Sequence, residues 1–153
     1  MRPPIQLDPH TGHLQLGPSA CITDTTTPAD LPHLFPGATI TPTNLGNGWQ
    51  HYHVRLEPAD WLVVVVLTFI GRYLIQWQLV FTQDTAPKQN WANWNEEAER
   101  QQAIRYQQWL TTQLGPEQRQ FDWGEVWVGY DARSGSSSIM ARYGGPEPTP
   151  RPA

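Results

Sequence analysis

The chain has 153 residues, of which 39% are hydrophobic, 11% aromatic and only 16% charged, with eight Trp and fifteen Pro. Ten basic and fourteen acidic side chains leave a formal charge of −4, so the basic excess that neutralises phosphates is missing and nucleic acid is not expected as a partner. This length holds one domain, and so aromatic a composition argues against wholesale disorder.

The N-terminus has no apolar run after Arg2, so no secretory signal is expected. The most apolar stretch, Trp61 to Ile70, stops at Gly71-Arg72, well short of the roughly 20 residues a spanning helix needs. Cys21 is the single cysteine, which excludes an internal disulfide and a cysteine-based zinc cluster. Together these point to a cytoplasmic protein without membrane contact. Residues 1–143 read as one α+β domain, and the Pro-rich 144–153 as a disordered tail.

In chain order, Ile5/Leu7 and Leu14/Leu16 alternate around Asp8-Pro9-His10-Thr11-Gly12, the pattern of an antiparallel hairpin. After a Thr/Pro-rich stretch, Thr27-Pro28 reads as an N-cap with proline in the first helical position, opening a short helix that ends near Phe35. Asn44 to Gly48 is a turn cluster. It leads into a strand, Trp49 to Leu56, on which Trp49, His51, His53 and Arg55 share one face.

Trp61 to Phe81 reads as the central hairpin, tightly turned at Gly71-Arg72. Even pairing about that turn predicts that Leu62, Val64, Val66, Thr68 and Ile70 face the core with Tyr73, Ile75, Trp77, Leu79 and Phe81. So apolar a strand would invite aggregation at an edge and is expected inside the sheet. Asn90 to Leu114 is the one long helix, with Ala103, Tyr106, Leu110 and Leu114 on its buried arc and Gly115-Pro116 ending it. Glu125 to Asp131 and Ser138 to Tyr143 form a last hairpin. The expected fold is α+β: a twisted antiparallel sheet of about five to seven strands, with one long and one short helix packed on it.

No catalytic pattern stands out. His51-x-His53 and His10-x-x-His13, completed by Asp8 or Asp60, are the only metal-ligand candidates. They lack fixed carboxylate spacing, so no metal and no cofactor is expected. Glu96, Glu97 and Glu99 suit the first turn of a helix on electrostatic grounds alone. Asp122, Glu125 and Asp131 show no spacing that selects a catalytic pair. Ser134 to Ser138 lacks a nucleophile-elbow context, and Cys21 reads as a buried thiol. An enzyme is therefore not expected. By contrast, Trp94 falls on the helix side opposite Leu110, and with Trp91 it stands among polar residues, as interaction hot spots do.

Trp91, Trp94, Glu96, Glu97, Trp109-Leu110, Gly115, Trp123-Gly124-Glu125-Val126 and Tyr130 to Gly135, together with the hairpin at 61–81, give the chain a resemblance. It is similar to small bacterial proteins found in the setting of polymorphic toxins, in particular their immunity or accessory proteins. That resemblance implies a non-enzymatic, cytoplasmic domain that binds and neutralises a cognate toxin. The partner-binding residues would be Trp91, Trp94, Glu96, Glu97, Asp131 and Arg133, presented to a more basic partner. Two other readings remain open: a small hydrolase or ligand-binding domain with a pocket around aromatics and His51, His53 or Arg55, and a structural subunit pairing through its strand edges.

Overall fold

A computed structural model describes residues 5–16, 20–56, 63–81, 96–116, 118–131 and 136–144; the side chains of 96–99, 130, 131 and 136 are outside that description. Ten strands and two α-helices occur among these residues. β1 (Ile5–Leu7), β2 (Leu14–Leu16) and β3 (Cys21–Ile22) form a small antiparallel sheet in that order. A 3-10 turn, Pro28–Asp30, then runs into α1, Leu31–Leu34. The expected cap at Thr27 is present: its N–H donates to the Asp30 carboxylate at 2.8 Å.

The large sheet has seven antiparallel strands. β4 (Thr39–Gly46), β5 (Trp49–Leu56), β6 (Val63–Ile70) and β7 (Tyr73–Phe81) follow one another by hairpins, and β7 then pairs with β10. β10 (Ser136–Tyr143), β9 (Gly124–Asp131) and β8 (Gln120–Phe121) complete the order β4-β5-β6-β7-β10-β9-β8. The valine-rich β6 is interior, as its composition demands. The N-terminal hairpin, expected in the same sheet, instead makes a sheet of its own. β3, β4 and β8 carry no alternating apolar pattern and were not legible as strands. Pro42 interrupts the exposed edge β4 and removes one donor from it.

The expected facing of the central hairpin is corrected along β6 and, at the turn end of β7, at Tyr73 and Ile75, where Leu74 is the buried residue. Ile70 pairs Tyr73 and Phe69 pairs Leu74, as the tight turn requires, but Thr68 pairs Gln76. Ile75 is the extra residue of a β-bulge, and beyond it the register slips by one, exchanging the faces of β6 relative to β7. Val63, Val65, Leu67 and Phe69 are therefore buried beside Trp77, Leu79 and Phe81, whereas Val64, Val66 and Ile70 lie on the other side, half-buried. Tyr73, expected in the core, is 51% exposed.

One face of the large sheet carries Val54, Val65, Leu67, Trp77, Leu79, Val126, Ile139 and Ala141 into a core shared with Leu7, Leu14, Ile22, Leu31 and Phe35. α2, observed over Glu96–Leu114, supplies Tyr106, Leu110 and Leu114 to the same core, so its expected buried arc is borne out there. Residues 90–95, the expected first turns, lie outside the described residues, as does the tail from 145.

Directional bonds fix this second layer. The Tyr106 hydroxyl donates to the Phe81 carbonyl at 3.1 Å and accepts from the Phe81 N–H at 3.2 Å; Gln102 Nε2 adds a bond to the same carbonyl at 2.9 Å. Leu7 N–H donates to Gln113 Oε1 at 2.9 Å, tying α2 to the small sheet. Fully buried Trp77 donates from Nε1 to the Tyr143 hydroxyl, which itself donates to the Gly12 carbonyl at 2.7 Å. Burial pushes that phenol far above its ordinary pKa, so it stays a donor. Gly12 lies against the Trp123 indole, where a Cβ would collide with the ring.

Candidate functional site

The other face of the seven-stranded sheet has no described element packed over it. Its rows follow from the register. Thr43, His51, Thr68, Gln76, Arg142 and Glu125 form one, and Thr41, His53, Val66, Gln78, Met140 and Trp127 the next. The shared face of Trp49, His51, His53 and Arg55 is thus observed. Much of the row chemistry is internally satisfied. Arg142 bridges Glu125 at 3.2 Å and lies over the Trp127 ring at 5.5 Å, while Gln78 Nε2 donates to Ser138 Oγ at 3.0 Å. Burial, with His53 beside it, holds the His51 imidazole below its usual pKa, favouring the neutral form.

At one end of this face two hairpin tips stand side by side. Gly46, Asn47 and Gly48 all take positive φ, at 86°, 56° and 84°, which two glycines and an asparagine tolerate and a β-branched residue would not. The Gly71 N–H donates to the Gly48 carbonyl at 2.9 Å, locking the β6–β7 tip against the β4–β5 tip. Leu45 (48% exposed), Trp49 (37%) and Tyr73 (51%) project there. Trp49 opposes Ile70, which opposes Tyr73, so the three share one face. The Arg72 guanidinium lies over the Tyr73 ring at 5.4 Å. Large apolar side chains on a rigid support, next to an arginine, have the composition of a protein-recognition hot spot.

Two clefts are found elsewhere. One, of about 410 Å³, is lined by Pro9, His10, Gln118, Gln120, Phe121, Asp122 and Trp123. Its Phe121 and Trp123 rings stack on each other at 5.1 Å, and Trp123 Nε1 donates to the Pro9 carbonyl at 2.9 Å, so the indole is committed to the fold. The other, of about 280 Å³, brings Cys21, Asp30 and His33 together with Thr23, Thr25, Thr26 and Leu34. Burial, and to a lesser degree the Asp8 carboxylate, pushes the Cys21 thiol up, and Asp30 is occupied in capping. That is the opposite of what thiolate chemistry needs. No group of three or more His, Cys, Asp or Glu able to hold a metal ion occurs among the described residues. His51, His53 and Arg55 line neither cleft.

Of the residues singled out in the sequence, Trp91, Trp94 and Arg133 lie outside the described residues. Glu96 and Glu97 open α2, and Asp131 ends β9, with side chains outside the description. The tip residues Leu45, Trp49, Arg72 and Tyr73 were missed as a site. Gly-Asn-Gly beside a tryptophan is the signal the sequence offers, whereas even pairing about the turn places Tyr73 in the core. No family model, no curated protein and no solved structure matches the chain. No helix among the described residues is long and apolar enough to cross a membrane.

Proposed function

We propose that the chain is a bacterial protein-binding module of the immunity type, which neutralises a cognate toxin domain by covering it with the two hairpin tips. The observation that carries this reading is the exposure of Trp49 and Tyr73 on one face, with exposed Leu45 beside Trp49's turn, on two tips tied together by the Gly71–Gly48 bond. A preorganised tip loses little conformational entropy on docking, and aromatic anchors gain most from being covered. The support is a sheet whose far face is filled with core side chains, so the tips are held by rigid structure.

The test is growth protection. If a toxin domain is encoded beside this chain, a host expressing it is expected to grow when the wild-type chain is co-expressed. Trp49→Ala and Tyr73→Ala are expected to lose protection while keeping the wild-type thermal transition. Full protection by a variant carrying both Trp49→Ala and Tyr73→Ala would exclude the tips as the docking surface, and absence of protection by the wild type would exclude the immunity reading.

A further inference from the structure

We infer that the surface docked on these tips carries a carboxylate, aimed at Arg72 and flanked by apolar side chains; this rests on the tips being the docking surface. Arg72 is the only charged residue among Leu45 to Trp49 and Ile70 to Tyr73. It forms no ion pair among the described residues, and its guanidinium lies over the Tyr73 ring at 5.4 Å. A partner that covers Tyr73 therefore also strips water from Arg72. A desolvated charge without a counter-charge is costly, so a partner lacking an acid at that spot pays more in desolvation than the aromatics return.

The geometry suits a carboxylate. The guanidinium stands over the ring at 5.4 Å, and its parallel N–H groups match two carboxylate oxygens. Trp49 and Ile70, which share a face with Tyr73, call for apolar neighbours on the partner. A polyphosphate is the poorer fit: no second cation stands at the tips, and a chain of formal charge −4 repels a phosphate backbone at long range. The negative net charge suggested a basic partner, yet the charge that docking would bury is positive. Net charge governs approach from a distance, whereas the buried group sets the chemistry of contact.

Panning a random 12-residue peptide phage library on the full chain, with counter-selection on Trp49→Ala, tests this. The expected peptides carry Asp or Glu next to Leu, Ile, Phe or Trp. Arg72→Glu is expected to weaken them by about tenfold or more, and Arg72→Lys by less. Replacing the peptide acid by its amide should cause a loss similar to that of Arg72→Glu. Arg72 is an exposed turn residue, and an unchanged thermal transition in each variant separates lost contact from lost fold. Trp49-dependent peptides with no acid enrichment, or indifference to Arg72→Glu, would overturn the carboxylate and leave the docking surface standing. Failure to recover any Trp49-dependent peptide would remove the docking surface and this inference with it. Capture of oligo-dT in place of peptides, lost in Arg72→Glu, would overturn the protein partner in favour of a phosphate ligand.

Discussion

The two ends of β7 are built on opposite terms. At Phe81 the strand finishes beneath α2, with its carbonyl taken by Tyr106 and Gln102 and its ring against Tyr106 and Trp109 at 5.2 and 5.7 Å. At Tyr73 it begins in a tip where half of the aromatic side chain is in water. Between them the Ile75 bulge changes which side each residue takes. One strand thus supplies stability at one end and recognition at the other. Groups committed to buried hydrogen bonds cannot be offered to a partner, and groups offered to a partner add little to folding.

The sharpest way to break this contrast is to set neighbouring valines against each other. Val65 is fully buried and Val66 lies half-buried on the opposite face. Val65→Asp should cost more than about 3 kcal/mol and leave little folded protein, because it buries an unpaired carboxylate. Val66→Asp should cost a fraction of that, read as urea midpoints. Equal costs, or the reverse order, would refute the bulge. The next effect belongs to the anchored end. Tyr106→Phe removes the hydroxyl that bonds both the Phe81 N–H and its carbonyl, an expected loss of about 1–3 kcal/mol. A shift within error would show that the Tyr106 hydroxyl adds nothing to the hold on α2 beyond packing and the Gln102 and Gln113 bonds.

At the exposed end, Trp49→Ala should change stability by less than about 1 kcal/mol in the same measurement while abolishing protection. A large loss of stability would mean that the tip is part of the fold's foundation. The smallest effect is that of His51. Its folded-state pKa is lowered, so the folded chain takes up the proton less readily than the unfolded chain does. The contribution is present above the ordinary histidine value of about 6.5 and is lost as pH falls through it toward the folded value. The melting temperature of the wild type should therefore drop slightly more between pH 7.5 and 5.5 than that of His51→Gln.

Legibility followed the strength of local pattern. The alternation of β1, β2, β5 and β10, the Thr27 cap and the 3.6-residue spacing of Tyr106, Leu110 and Leu114 were readable because each is decided by near neighbours along the chain. β4 was not: Thr, Pro and Asn side chains on an exposed edge leave no apolar period to detect. β8 has two residues and is a strand only because β9 pairs with it. The candidate site was less legible still, since its parts come from two tips joined by one backbone bond.

What the sequence determined by itself was the class of fold, the burial of the valine-rich strand inside a sheet and the existence of a helix with a buried arc, because hydrophobic periodicity and turn chemistry act over short range. Tertiary structure alone decided the facing of β6, where one extra residue in β7 reverses every side chain beyond it. It also decided the meeting of Leu45, Trp49, Arg72 and Tyr73. Residues more than twenty positions apart become a surface only when long-range strand pairing brings their turns together.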